Sequence, residues 1–303
     1  MPTIRAARLS DVPSISEWTR ETFAWGDYIP RVLESWISDD IGEVLVVEDK
    51  GAVVAVARVA MLSTDEAWAQ GMRVHPEHRR QGHGIALTEA LVDWAGGRGG
   101  QVIRLSIEEW NANAQAQVSK AGFRPVCDWV HAQRAIGESS PVPEGNGGKR
   151  VAPPERLRTA HSAEAEAAYL SWVGGELART ARDLFQVSWR WQRLTPDHLA
   201  LAARNQNLLE GRPGWAIAEF DHDTYTVEWL ETAESDARAM ALAIVDKAAE
   251  HAAETLEVMI PDVPWMEREL RRLGFEMHPL TVWARSAGRV VARRSTRAAR
   301  AIS

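Results

Sequence analysis

The chain has 303 residues, 45% of them apolar and 25% charged, which suits a globular protein long enough for two domains. Its formal net charge of −7 supplies no basic field and argues against a nucleic-acid partner. One cysteine, Cys127, excludes an internal disulfide, and no apolar run is long enough to span a bilayer.

Ile4–Ala7 reads as a short strand, followed by a helix capped near Ser10-Asp11 and running to about Phe23. An irregular aromatic piece holds Phe23, Trp25, Gly26, Asp27, Tyr28 and Pro30, and a second helix carries Val32, Leu33 and Trp36. Trp18 and Trp36 occupy helix faces and read as core, whereas Trp25, in a loop, fits core or pocket equally. Glu43–Val47, the turn Asp49-Lys50-Gly51 and Ala52–Met61 read as an antiparallel hairpin, with Ala67–Val74 as the next strand.

Then comes Val74-His75-Pro76-Glu77-His78-Arg79-Arg80-Gln81-Gly82-His83-Gly84, leading into an amphipathic helix with Leu87, Ala90, Leu91 and Trp94 as its apolar stripe. Glycines 82 and 84 let backbone N–H groups converge, and a helix starting there adds the positive end of its dipole. The segment is therefore an anion cradle. Its three histidines, His75, His78 and His83, invite a metal, but the loop is committed to an anion and no carboxylate or cysteine set completes a site, so none is expected.

Val102–Ile107 is a strand, Asn111–Ala121 a helix stopped by Gly122-Phe123, and Arg124–Arg134 the closing strand. Residues 137–155 hold four Pro and four Gly and read as a linker. Beyond it, Leu157-Arg158-Thr159-Ala160 repeats Ile4-Arg5-Ala6-Ala7 and Leu273-Gly274-Phe275 repeats Ala121-Gly122-Phe123, at nearly constant offset, so the chain is expected to be duplicated. In the second copy Trp215–Phe220, Tyr225–Leu230 and Thr255–Ile260 read as strands and Arg238–His251 as a helix. The domains expected are 1–136, a linker 137–155, 156–286, and a tail 287–303 whose five arginines read as a solvated end.

Arg79-Arg80-Gln81-Gly82-His83-Gly84, with the preceding Val-x-Pro, and Asn111-Ala112-Asn113-Ala114 with Gly122-Phe123 resemble the motifs of the GNAT superfamily of acyl-CoA-dependent N-acetyltransferases. The resemblance covers about residues 3–134. It implies an α/β (α+β) fold of two tandem GNAT-like domains, each a mixed, mostly antiparallel sheet flanked by helices. It also implies acetyl-CoA as cosubstrate, its pyrophosphate bound by the backbone N–H groups around Arg80 to Gly84, with Arg79, Arg80, Gln81, Gly82, His83 and Gly84 as the cofactor-binding residues. Met72 and Val74 would pair with pantetheine, with Asn111 near the cofactor.

The expected reaction is acetyl transfer to a primary amine, a small molecule rather than a protein, by direct attack in a ternary complex. The tyrosine that many relatives use as general acid would fall at Val118, and the strand glutamate that some use as base at Trp68. Glu66, Glu108 and Tyr28 are left as candidate catalytic groups, and Trp25, Asp27 and Tyr28 as candidates for the acceptor pocket. In the second copy Glu231–Asp236 stand opposite the cradle, without glycine and with three carboxylates, so that copy is expected to be degenerate. The rival readings are a non-catalytic acyl-CoA sensor and a scaffold without ligand. A cytoplasmic protein is expected, and nothing in the sequence sets its oligomeric state.

Overall fold

The computed structural model describes residues 2–23, 26–136 and 156–288. Trp25, the 137–155 linker and the tail from 289 onward lie outside the described residues. In chain order the elements are β1 (Thr3–Ala6), α1 (Val12–Thr19), α2 (Ile29–Ile37), β2 (Gly42–Asp49), β3 (Ala52–Met61), β4 (Glu66–Val74), α3 (His83–Gly97), β5 (Val102–Glu108), α4 (Ala112–Lys120) and β6 (Arg124–Ala135). There follow β7 (Arg158–Thr159), α5 (Ala165–Gly174), α6 (Glu176–Ala181), β8 (Leu184–Val187), β9 (Arg190–Arg193), α7 (Pro196–Arg204), β10 (Leu208–Gly211), β11 (Gly214–Asp221), β12 (Thr224–Glu231), α8 (Ala237–Glu250), β13 (Thr255–Pro261), α9 (Pro264–Arg272) and β14 (Glu276–Ser286). This is a mixed α/β fold whose strands pair mostly antiparallel, as expected, with β12 and β13 parallel.

The chain divides into two compact units, Met1–Ile103 with Arg285–Ser303, and Arg104–Ala284. In the first, β1, β2, β3 and β4 pair in order as an antiparallel meander. Val44–Val47 and Val53–Ala60 are buried without alternation, so both sheet faces are covered. Ile15 of α1 and Ile29 and Leu33 of α2 pack on Val44, Val46 and Val56, with Trp18 and Trp36 against that cluster. Packing of α3 on β2, β3 and β4 covers the other side. After His83, the buried residues of α3 are Leu87, Thr88, Leu91, Val92 and Ala95, a stripe rotated from the expected one, because Trp94 stays half-buried to donate its indole N–H to Glu43.

In the second unit the strand order is β5 (from Arg104), β14, β6, β13, β12, β11, β10, β7, with β8 and β9 as a separate hairpin. Strand β6 belongs to the first half of the sequence, yet it lies between β13 and β14 of the second half.

Duplication is visible in one repeated device. Arg5 of β1 donates to Asp11 Oδ2 at 2.7 Å and to Glu48 Oε2 at 2.7 Å, while Asp11 also accepts the N–H of Arg8 at 2.8 Å. In the second unit Arg158 of β7 donates to Glu164 Oε1 at 2.6 Å and pairs with Glu210, while Glu164 accepts the N–H of His161 at 2.7 Å. Each clasp ties the first strand to the turn before the first helix and to the neighbouring strand. The arginine holds Glu164 down at about 2 and lowers Asp11 in the same direction.

Candidate active site

Strand β4 carries one residue too many for its partner. Arg73 pairs with Val56 and Gln70 with Arg58, so Gly71 and Met72 together face Ala57, which is a β-bulge. Gly71 has φ +70°, and a Cβ there would stand 2.7 Å from the Trp36 ring, so both backbone and packing require glycine. Beyond the bulge, His75 N–H donates to Val54 O at 2.9 Å. By antiparallel alternation the N–H and C=O of Val74 therefore point away from β3.

The chain leaves β4 through a 3-10 turn, Pro76–His78, passes Arg80 at φ +63° and Gly82 at φ +87°, and enters α3 at His83. The first helical hydrogen bond is Ala86 N–H to Gly82 O at 3.0 Å, so the N–H groups of His83, Gly84 and Ile85 have no acceptor within the helix. A Cβ on Gly82 would meet nothing within 4 Å. Glycine is needed there for its backbone angle, and the space in front of it is open. Arg79, Arg80, Gln81 and Gly82 are exposed beside the helix N-terminus, with Arg79 Nε donating to Val74 O at 3.4 Å. This arrangement suits the diphosphate of a nucleotide cosubstrate. His83 divides its roles, because its backbone opens the helix while its imidazole is buried, 6% exposed.

Next to the bulge, Arg73 is held in place on several sides. Its Nε donates to Asp27 Oδ2 at 2.6 Å and its Nη2 to Asp27 Oδ1 at 3.1 Å, and its guanidinium lies 4.9 Å from the Phe23 ring centroid and 5.4 Å from that of Tyr28. Asp27 also accepts the N–H of Ile29 at 3.1 Å, and its side chain is fully buried. Its carboxylate is thus committed to Arg73 and to the start of α2, not free to steer an amine. Tyr28 is fixed against Trp36 and Arg73, with the rings of Tyr28 and Trp36 5.9 Å apart. Sequence alone does not single out Arg73, since nothing local to Met72-Arg73-Val74 announces a partner 46 residues upstream.

Glu66 is placed elsewhere. It opens β4 and is buried, and eight strand residues put it roughly 25 Å from Val74. Trp68, at the position of the expected base, is 2% exposed and donates to Gln70 Oε1 at 3.1 Å.

The remaining candidates belong to the second unit. Asn111 caps α4, its Oδ1 accepting the Ala114 N–H at 3.2 Å. Asn and Ala at this spacing thus have a structural role whatever else they do. Glu108 ends β5, half-buried. Val118 is buried and offers no proton. Burial pushes the Cys127 thiol up to about 11, which makes it a poor nucleophile at neutral pH.

The corresponding connection of the second copy is shorter. Five residues, 232–236, join β12 to α8, where eight, 75–82, join β4 to α3. The missing length removes the glycine turn, and Glu234 and Asp236 stand at the helix start instead. Glu231 differs from expectation, because it is the last residue of β12, not part of the loop, and is 5% exposed. A constant offset projected from Gly274 overlooks the shortened connection. Burial raises the Glu231 carboxyl to about 8, with Arg179 opposing weakly.

Among the described residues, one group of side chains has a metal-ligating geometry. Ligand atoms of Asp49, His78 and His83 lie within 4.8 Å of one another. The carboxylate comes from Asp49 at the hairpin end of β2. No helix among the described residues is long and apolar enough to cross a membrane.

Residues 12–123 match the acetyltransferase (GNAT) family. No curated protein matches the chain. Among solved structures, the chain is similar to a GCN5-related N-acetyltransferase from Sphaerobacter thermophilus, with TM-score 0.68 and 18% identity over 95% of this chain and 96% of that one. It also resembles a tandem GNAT protein from the clavulanic acid biosynthesis pathway, with TM-score 0.59 and 15% identity over 95% and 99%. A glucosamine N-acetyltransferase region of a fungal multi-domain GH3 beta-N-acetylglucosaminidase superposes with TM-score 0.66 and 14% identity, over 94% of this chain and 38% of that one. At these identities the likeness is one of fold.

Proposed function

Since the chain carries a GNAT acetyltransferase domain over residues 12–123, we propose that it transfers an acetyl group from acetyl-CoA to the primary amine of a small molecule, by direct attack in a ternary complex. The single observation that supports this most is the connection from β4 to α3. It combines a left-handed Gly82, the N–H groups of His83, Gly84 and Ile85, and the exposed Arg79 and Arg80. That is the donor set a pyrophosphate requires. Met72 lies in the bulge and Val74 just beyond it; the outward N–H of Val74 is suited to pair with an extended amide chain, while its C=O accepts Arg79 Nε at 3.4 Å.

The attacking amine has to be neutral, and an aliphatic ammonium holds its proton to a pKa near ~10. With Val118 at the place of the usual acid, the leaving thiolate departs unassisted by that residue. Its own pKa near ~8.5 makes this tolerable. Glu108 and Tyr28 remain the candidates for proton transfer, and Glu66 is too far along β4 to take part at the bulge. A small acceptor is favoured by the aromatic set Phe23, Tyr28 and Trp36 beside the bulge, which offers ring faces and no strand edge for an extended peptide.

Calorimetric titration with coenzyme A tests the cradle. The wild-type chain should bind saturably, and Gly82→Val should weaken binding by at least about tenfold, because a β-branched residue cannot hold φ +87°. Unchanged affinity in that variant would remove the assignment. Acetylation assays with a panel of amines test the reaction. Saturable binding with no turnover on any acceptor would favour the second reading, an acyl-CoA sensor, for which the buried Val118 is the specific observation.

A further inference from the structure

Three side chains of the first unit converge from separate segments. Asp49 comes from the end of β2, His78 from the 3-10 turn after β4, and His83 from the first turn of α3. One ligand atom of each lies within 4.8 Å of the other two. The imidazole nitrogens are unclaimed in a way that points to an occupant. Nε2 of His83, a residue only 6% exposed, and Nδ1 of His78 are buried without a hydrogen-bond partner. Buried polar atoms in folded proteins are mostly satisfied, so an open nitrogen on each of two histidines of this cluster is consistent with an occupant.

We propose that Asp49, His78 and His83 form a binding site for a divalent transition-metal ion of the zinc class. Two neutral imidazoles and one carboxylate are a donor set for zinc, cobalt or nickel, whereas magnesium and calcium prefer oxygen alone. Metal–ligand bonds of about 2.0–2.2 Å place neighbouring donors of a tetrahedron roughly 3.3 Å apart, so the set closes with side-chain movements on the order of 1 Å. Three protein ligands leave the fourth position for water or an oxygen of a bound anion. The ring centroids of His78 and His83 are 6.3 Å apart, so the two rings reach the site from different directions.

The ion would tie three segments together, namely the β2–β3 hairpin, the 3-10 turn and the start of α3. It would also put positive charge beside the anion cradle, since His83 belongs to both through different groups. The proposal stands independently of acetyl transfer, because its test contains no coenzyme A.

The full chain, prepared without a histidine tag and stripped with chelator, is titrated with zinc by calorimetry and with cobalt by visible absorption. One ion per chain is expected, with cobalt d–d bands of a nitrogen- and oxygen-ligated centre. Asp49→Asn and His78→Gln should each weaken zinc binding by about tenfold or more, and each should lose the cobalt spectrum. Melting curves of the stripped variants establish that they fold. No saturable heat with zinc in millimolar excess would overturn the site. So would zinc affinity unchanged in both folded variants, since the ion would then sit elsewhere. Magnesium binding as tight as zinc would overturn the assignment to the zinc class.

Discussion

At the scale of single residues, the chemistry readable from residue type alone was of limited use. Asp27 shows why. A carboxylate beside aromatic residues suggests a partner for a cationic substrate, yet its partner is Arg73 of β4, against which the loop before α2 packs. Asp27→Asn would leave Arg73, 13% exposed at its side chain, without its counter-charge. The expected loss is about 3 kcal/mol in denaturant unfolding, and replacing Arg73 by Met in the same chain should recover part of it. Glu231 gives the clearest pH dependence. Its carboxyl titrates at about 8 when folded and at the ordinary 4.5 when unfolded. Between those values the folded chain keeps a proton that the unfolded chain has released, so this residue's contribution to stability is full below about 4.5 and is lost as pH rises through about 8. Glu231→Gln should therefore melt close to wild type at acidic pH and higher at pH above about 8, by on the order of 2 kcal/mol. An equal difference at both ends of the range would contradict the buried carboxyl as its source.

For individual elements, the reading from sequence succeeded where a local rule decides the outcome. A glycine turn leading into a helix is found at Gly82 and His83, and Ala52–Met61 has the bounds its apolar run suggests. The bulge in β4 does have a local signal, since an isolated glycine inside a strand pattern, here Gly71, marks such a site. Other features had no local signal. Helix α1 ends at Thr19, short of Phe23, with Thr19 Oγ1 turned back to Ile15 O at 2.7 Å. The carboxylate that joins His78 and His83 comes from a hairpin whose proximity only the folded sheet defines. Helix α4 offers a test at this scale. Asn111→Ala removes its cap and should cost about 1 kcal/mol in unfolding experiments. A loss of coenzyme A affinity beyond what that destabilisation explains would give Asn111 a binding role as well.

For the whole molecule, the duplication was legible because Arg5 and Arg158 recur with their surroundings. The structure gives the repeat a physical reason in the two arginine clasps. Which strands would share a sheet was not legible, because pairing is chosen by edge complementarity and not by nearness in sequence. Strand β6 lies between β13 and β14, with Thr281 Oγ1 donating to Asp128 Oδ1 at 2.6 Å across 153 positions. A chain ended at residue 136 would leave both edges of β6 without these partners. It should be recovered as aggregate, whereas the full chain should be recovered as dispersed protein; sedimentation of the two distinguishes the outcomes. Abundant dispersed, folded product from residues 1–136 would show that the strand finds another partner.

The place of β6 also sets a schedule. Translation runs from the first residue to the last at about 5–20 residues per second, so the 153 positions between Asp128 and Thr281 take roughly 8–30 s to synthesise. For that interval β6 waits on the ribosome for neighbours that do not yet exist. The newborn chain is then at its most vulnerable to other chains in the same state, although the finished fold leaves neither edge of that strand open.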